Sequence, residues 1–149
     1  VVLNGKKLVG ILTEMSAQMN YIEYLVTGIG INANLREFPE ELEDKATSLQ
    51  KEIGHKVNRS ALIAECMEKI EENYEIFVKT QDLSGLMAAY QEALVNQDQQ
   101  VRVLEPGHEY TGVARGINAM GELLVEKEDG TITEVYAGEV SVRGLYGYV

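Results

Sequence analysis

The sequence predicts an α+β chain in two parts, and three patterns carry that expectation. Strand-like runs broken by Asn-Gly and by closely spaced glycines fill residues 1–32. Apolar side chains then recur every three or four positions between residues 60 and 95. After residue 100 the period falls to two, with frequent turn residues. The order is a few strands with helix cover, then a small all-β domain.

Asn4-Gly5 lies between Val1-Val2-Leu3 and Lys7 to Glu14, which predicts a hairpin. Tyr21 to Ile31, rich in β-branched and aromatic residues, predicts a third strand. Residues 33–44 form a polar loop punctuated by Pro39, of a length that is often functional. Lys45 to Ile53 predicts a short helix ended by Gly54. Asn58 or Ser60 caps a helix running to about Val78. Its buried stripe is expected at Ile63, Met67, Ile70, Tyr74 and Phe77, and its glutamates form a solvated face. A second helix is expected from Asp82 or Ser84 to Val95, with Leu86, Ala89, Tyr90 and Leu94 inward. The polar seam 96–100 divides a domain 1–97 from a domain 98–149. In the latter, Val101–Leu104, Glu109–Ile117, Glu122–Glu126, Thr131–Tyr136 and Glu139–Arg143 read as five short strands. Their turns fall at Pro106-Gly107, Asn118–Gly121 and Asp129-Gly130, and the whole suggests an SH3-like barrel.

Composition narrows the function. The 149 residues are 45% hydrophobic, and none of their apolar runs approaches the roughly 18 residues of a membrane helix. The formal net charge of −11 disfavours nucleic acid as a partner. A single cysteine forms no internal disulfide, which suggests a reducing, cytoplasmic setting. His55, His108 and Cys66 lack metal-ligand spacing; the histidines read as surface turn residues and Cys66 as a buried core thiol.

The chemistry concentrates between residues 4 and 32. Strand side chains alternate faces, so Gly28, Gly30 and Asn32 share one side and Ile29 and Ile31 the other. Glycine within a strand marks close approach by a ligand or another backbone. A face of bare backbone, ended by an amide and served by Lys7, suits a flat, polar, anionic ligand. The glycines do not make a dinucleotide fingerprint, because a third glycine and a following helix are missing. The chain also opens directly on Val1-Val2-Leu3, and about three strands are few for the walls of a site, so it reads as the C-terminal part of something longer.

Lys7-Leu8-Val9-Gly10-Ile11-Leu12-Thr13-Glu14, then Gly28-Ile29-Gly30-Ile31-Asn32, then Gly138-Glu139-Val140-Ser141-Val142-Arg143 resemble the bacterial biotin protein ligases, the biotin–[acetyl-CoA-carboxylase] ligases. The likeness covers essentially the whole chain. It implies a mixed-sheet catalytic domain related to class II aminoacyl-tRNA synthetases, with residues 1–97 as its C-terminal portion, followed by an SH3-like domain. It implies ATP-dependent formation of biotinyl-5′-AMP, with Mg2+ accompanying ATP. Transfer of biotin to a lysine of a carboxylase's biotin carrier domain follows. The family's Gly-Arg-Gly-rich loop would precede Val1, as would any DNA-binding helix-turn-helix, so the chain alone is expected to be catalytically incomplete.

By this resemblance Lys7 reaches the biotin carboxylate and the adenylate phosphate, while Lys6 points to the other face. Gly10, Ile11 and Leu12 match positions lining the biotin ring pocket. Gly28 and Gly30 lie beside biotin and adenine, and Asn32 faces the nucleotide, where an amide matches adenine's donor and acceptor edge. Residues 33–45 stand in the place of the adenylate-binding loop. The position of an aromatic stacking residue falls on Ala46, which leaves Phe38 either as a substitute or as ordinary packing. Arg143 and Glu139 match residues reaching toward the nucleotide or the domain interface, and Arg115 is a weaker candidate. No protein metal site is expected. Two rival readings stay open: a non-enzymatic interaction module, and a ligase for a related acid such as lipoate. Exposed strand edges also suggest self-association.

Overall fold

A computed structural model of the chain describes residues 1–19, 21–104 and 109–136, and the backbone of residues 141–144. It divides into two compact units, Val1–Leu62 and a second that begins at Ile63.

The first unit starts with a minimal hairpin, β1 (Val2–Leu3) against β2 (Lys6–Lys7). Asn4 at φ 51° and Gly5 at φ 77° both take the left-handed conformation that a two-residue turn between twisted strands demands. A second, longer antiparallel ladder pairs β3 (Val9–Gln18) with β4 (Tyr21–Ile31). β4 matches the expected strand at both ends. β3 runs four residues past the expected Glu14, because Ser16 donates to Glu23 at 2.8 Å and Gln18 also bonds that carboxylate, extending the pairing. A single 3-10 turn at Glu40–Leu42 interrupts the loop, and α1 covers Leu49–Ile53. The expected start of α1 at Lys45 is displaced to Leu49. Ala46 instead forms a parallel bridge with Lys7, and Ser48 is the N-cap, its Oγ accepting from the Lys51 N–H at 3.1 Å. Gly54 closes the helix at φ 81°.

The second unit contains most of α2 (Arg59–Thr80), then α3 (Met87–Ala93) and an antiparallel sheet ordered β8-β7-β6-β5-β9. These strands are Gln100–Leu104 (β5), Tyr110–Ile117 (β6), Leu123–Glu126 (β7), Ile132–Val135 (β8) and Ser141–Gly144 (β9). All five expected strands are present, shifted by at most two residues at either end. Val101, Val103, Ala114 and Val125 form its buried core, flanked by Tyr110, Leu123 and Val135. The expected turns at Asn118–Gly121 and Asp129-Gly130 are present, Gly121 and Gly130 taking φ of 84° and 81°. Pro106-Gly107 lies outside the described residues.

Gly112 is held by crowding rather than by backbone angle: a Cβ there would sit 2.5 Å from the Glu126 carbonyl oxygen and 2.6 Å from Val125 Cγ1. Gly112→Ala is therefore expected to destabilise the second unit by about 1–3 kcal/mol, the usual cost of overpacking. Urea denaturation checks this, and an unshifted midpoint would refute so close an approach of β6 to β7.

Three expectations are corrected. The named ladders are all antiparallel, and the isolated Lys7–Ala46 bridge is the one parallel pairing among the described residues, where a mixed sheet was expected. The apolar stripe of α2 exists but is not buried: Met67 is 58% and Tyr74 64% exposed, and α2 buries no residue. The stripe instead lines two shallow grooves, one of them closed partly by Leu83 and Leu86. Cys66 is half-buried on the same helix. Likewise α3 begins at Met87, because Asp82 Oδ1 accepts from Ser84 in a tight turn and the Leu83 N–H bonds Ala119 O at 2.8 Å; Ala89 and Tyr90 are exposed. No described helix is long and apolar enough to cross a membrane.

Candidate functional site

The β3–β4 register builds a surface almost free of side chains. Gly10 stands opposite Gly30 and Leu12 opposite Gly28, and residues directly paired across antiparallel strands project to the same side. One side of the ladder's open end is thus Gly10, Gly30, Gly28 and Leu12. Ile11 pairs with Ile29 on the reverse side, so the ladder separates Ile11 from Gly10 and Leu12.

Neither backbone angle nor crowding accounts for these three glycines. None of them has a positive φ. A Cβ on Gly28 or Gly30 would meet only backbone oxygens, each at 3.8 Å, an ordinary contact. A Cβ on Gly10 would meet the Lys7 side chain, Cε at 3.7 Å. That distance also locates Lys7: its stem lies over the glycine face. The ammonium makes no hydrogen bond or ion pair among the described residues, whereas Lys6 is occupied, donating to Glu43 O at 2.8 Å.

Lys7 is anchored from behind. Its N–H donates to Lys45 O at 2.8 Å, and its carbonyl accepts from the Thr47 N–H at 3.0 Å. Asn32 is held in the same way: its N–H donates to Leu8 O at 3.0 Å and its carbonyl accepts from the Leu49 N–H at 2.9 Å. The Asn32 amide side chain has no hydrogen-bond partner among the described residues. Within the first unit the described residues that are buried are Ala33, Ala46, Thr47, Ser48 and Gln50. This small, largely polar centre underlies Lys7 and Asn32. Its two hydroxyls are bonded, as buried polar groups must be. Ser48 Oγ donates to Leu35 O at 2.5 Å, and the Thr47 hydroxyl donates to Glu52.

The roots of the 33–45 loop are fixed by residues that no motif singled out. Asn34 donates to Val57 O at 3.0 Å and accepts from the Val57 N–H at 2.9 Å. Glu52 bonds Thr47 and accepts from Asn4 Nδ2 at 2.6 Å. Those donors, Thr47 first and then Asn4, with Lys6 and Lys51 nearby, hold its carboxyl below the ordinary glutamate range. A lowered pKa means the tie is intact above the usual carboxylate range and is lost as pH falls through the folded value. Ala46, in the place of a stacking aromatic, is buried against Lys7, and Phe38 is half-buried with Lys51 Nζ 5.4 Å from its ring centre.

In the second unit Arg143 lies in β9, where its backbone pairs with Arg102. Glu139 and His108 fall outside the described residues. Arg115 is engaged, donating to Asp98 and Glu126 at 2.6 Å each, which leaves it poorly suited to hold a ligand anion. His55 is an exposed turn residue whose ring contacts Lys56 O. No group of three or more His, Cys, Asp or Glu among the described residues is placed to hold a metal.

The arrangement sets bare backbone beside a cation that has no partner among the described residues, which suits a flat, polar, anionic ligand. Comparison with known proteins finds one group of relatives. Residues 98–143 match the family described as biotin protein ligase C terminal domain. The bifunctional ligase/repressor BirA of Bacillus spizizenii is 32% identical over 144 residues, 95% of this chain and 44% of that protein. BirA of Escherichia coli is 28% identical over 141 residues, again 95% of this chain and 43% of that protein. Among solved structures, the apo biotin protein ligase from Aquifex aeolicus shares 31% identity with a TM-score of 0.80, covering 95% of this chain and 61% of that one. The same ligase in complex with biotin and ATP shares 29% identity with a TM-score of 0.77, covering 95% and 58%. The chain is similar to biotin protein ligases along 95% of its length, and it spans less than half the length of the curated relatives it matches.

Proposed function

We propose that the protein works as a biotin protein ligase, joining biotin to ATP and then to a carrier domain in the cytoplasm. What supports this best is that the Lys7 stem lies over the Gly10 side of the β3–β4 ladder, the same side as Gly28 and Gly30. In the proposed first step a biotin carboxylate oxygen attacks the α-phosphorus of ATP. The bond to the pyrophosphate oxygen breaks, leaving biotinyl-5′-AMP. In the second, the neutral amine of a carrier-domain lysine attacks the acyl carbon and AMP departs. Both steps need charge stabilisation and positioning rather than a protein nucleophile.

In this reading the Lys7 ammonium sits where carboxylate and phosphate meet. Gly10, Gly28 and Gly30 let the ligand lie against the backbone, beside Leu12. Ile11 supports the strand from the reverse side. Asn32 offers its unbonded amide to adenine, and by the resemblance alone Arg143 and Glu139 are proposed as further nucleotide contacts. The reading keeps a class II synthetase-like portion before the division at 97/98 and an SH3-like domain after it; the family match beginning at residue 98 supports the boundary alone. Magnesium would accompany the ATP.

Radiolabelled biotin transfer to a biotin carrier domain tests the reading in the full-length ligase, with lipoate as competitor. Transfer blocked by excess biotin and not by lipoate is expected; preferential use of lipoate would move the protein to the related ligases. Asn32→Ala is expected to raise the KM for ATP about tenfold, the order of one lost hydrogen bond to a site built for it. The 149-residue chain by itself is expected to transfer no biotin, because a two-stranded floor gives a ligand little enclosure.

The ladder also exposes Met15, Tyr24, Leu25 and Val26, an unusual amount of apolar strand surface for a monomer. The isolated chain is therefore expected to self-associate, and light scattering that showed only monomer at high concentration would count against this.

A further inference from the structure

We propose that Glu52 is a positioning residue for Lys7, because its carboxylate joins the turn that carries Lys7 to the segment that clamps the Lys7 backbone. This rests on the ligase reading of Lys7 and adds a residue far from the glycine floor in sequence.

The two carboxylate oxygens do separate jobs. Oε2 accepts from Asn4 Nδ2 at 2.6 Å, and Asn4 occupies the left-handed turn between β1 and β2. Oε1 accepts from the hydroxyl of Thr47, which is 1% exposed. The Thr47 N–H in turn bonds the Lys7 carbonyl at 3.0 Å. The β1–β2 hairpin is only two residues on each strand, so it has few bonds of its own to hold its angle. A small rotation of that hairpin moves the Lys7 ammonium most, since it lies at the end of a long side chain. Misplacing a reacting or stabilising group by about 1 Å can cost on the order of 100-fold in rate. Removing Glu52 also strands the buried Thr47 hydroxyl, an unmet polar group that a shift of the segment would relieve, leaving its two backbone bonds to Lys7 to hold it.

The test is a double-mutant cycle in the full-length ligase, read as the single-turnover rate of biotinyl-5′-AMP formation with thermal melting as a control. Glu52→Ala is expected to slow the step about tenfold in the native background, within the range that misplacement produces. In the Lys7→Ala background the same change should cost less than about twofold, because a residue acting through Lys7 has nothing left to act on. Glu52→Gln, which keeps one acceptor oxygen, should fall between, and Thr47→Val should resemble Glu52→Ala. If Glu52→Ala does not fold, Glu52→Gln and Thr47→Val carry the same comparison. An equal loss in both backgrounds would overturn the proposal in favour of a purely structural role. No loss from Glu52→Ala, with Lys7→Ala still defective, would overturn it while leaving the ligase reading intact. Full activity in Lys7→Ala would overturn both.

Discussion

If the protein works as the proposed ligase, Lys7→Ala is expected to slow biotinyl-5′-AMP formation by about 10²- to 10³-fold, the range seen when a preorganised stabiliser of transition-state charge is removed. The argument is electrostatic. In the proposed reaction two anions, a carboxylate and an α-phosphate, must approach to bonding distance, and the floor proposed to lie beneath them is backbone that carries no charge. Lys7 is placed to offset that repulsion: its stem crosses the Gly10 side, and no described carboxylate ties up its ammonium. Lys6 cannot substitute, being held on the Glu43 carbonyl. Lys7→Arg is expected to rescue poorly, because a planar fork differs in reach and shape from a compact ammonium. Rapid-quench measurement of the adenylate checks this. An unchanged single-turnover rate in Lys7→Ala would mean that another cation bridges the anions and that the lysine over the glycines is incidental.

Much of this arrangement is legible in the residues, and the rest is missing for identifiable reasons. Asn4-Gly5 specifies a turn that only left-handed residues enter comfortably, and both have positive φ. The run Tyr21–Ile31 specifies its own ends, since Ile31 is followed by polar Asn32 and a loop. Alternation already separates Ile11 from Gly10 and Leu12; grouping the three as one pocket lining set a motif match above the strand period, and the register favours the period. The α2 stripe shows a different gap. Periodicity says which side of a helix is apolar but not whether anything covers it, and in this chain the stripe stays exposed. Glu52 left no local signal because its partners are 5 and 48 residues away, and one glutamate in an acidic chain looks like any other. The α1 boundary failed similarly: Lys45 and Ala46 suit a helix by propensity, yet the Lys45 carbonyl and the Thr47 N–H are committed to Lys7. The local preference yields there to a tertiary bond that also fixes the lysine.

Gly30→Val should separate ligand binding from folding more sharply than any other single change in the first unit. Glycine in a strand interior costs stability relative to a side chain that suits the pleat, by about 0.5–1 kcal/mol. Valine at position 30 has room: its Cβ would meet nothing nearer than Gly10 O at 3.8 Å, and no positive φ opposes it. The melting temperature is therefore expected to hold or rise slightly. Ligand binding should move the other way. The branched side chain would rise from the floor between Gly10 and Gly28, on the side that Lys7 crosses, and would fill the space that the proposed site gives to a flat ring. A fall in biotin affinity of at least about 100-fold is expected, comparable to a clash or an unmet contact across a whole small ligand. Ile29→Val, on the reverse side of the ladder, is the matched control and should leave affinity within about twofold, since a methylene removed away from the ligand changes only packing. Calorimetry with biotin and a thermal melt on each variant decide the matter. Should Gly30→Val bind biotin as tightly as the parent, the glycines would be serving strand geometry alone, and the ligand would have to lie somewhere other than over Gly10, Gly28 and Gly30.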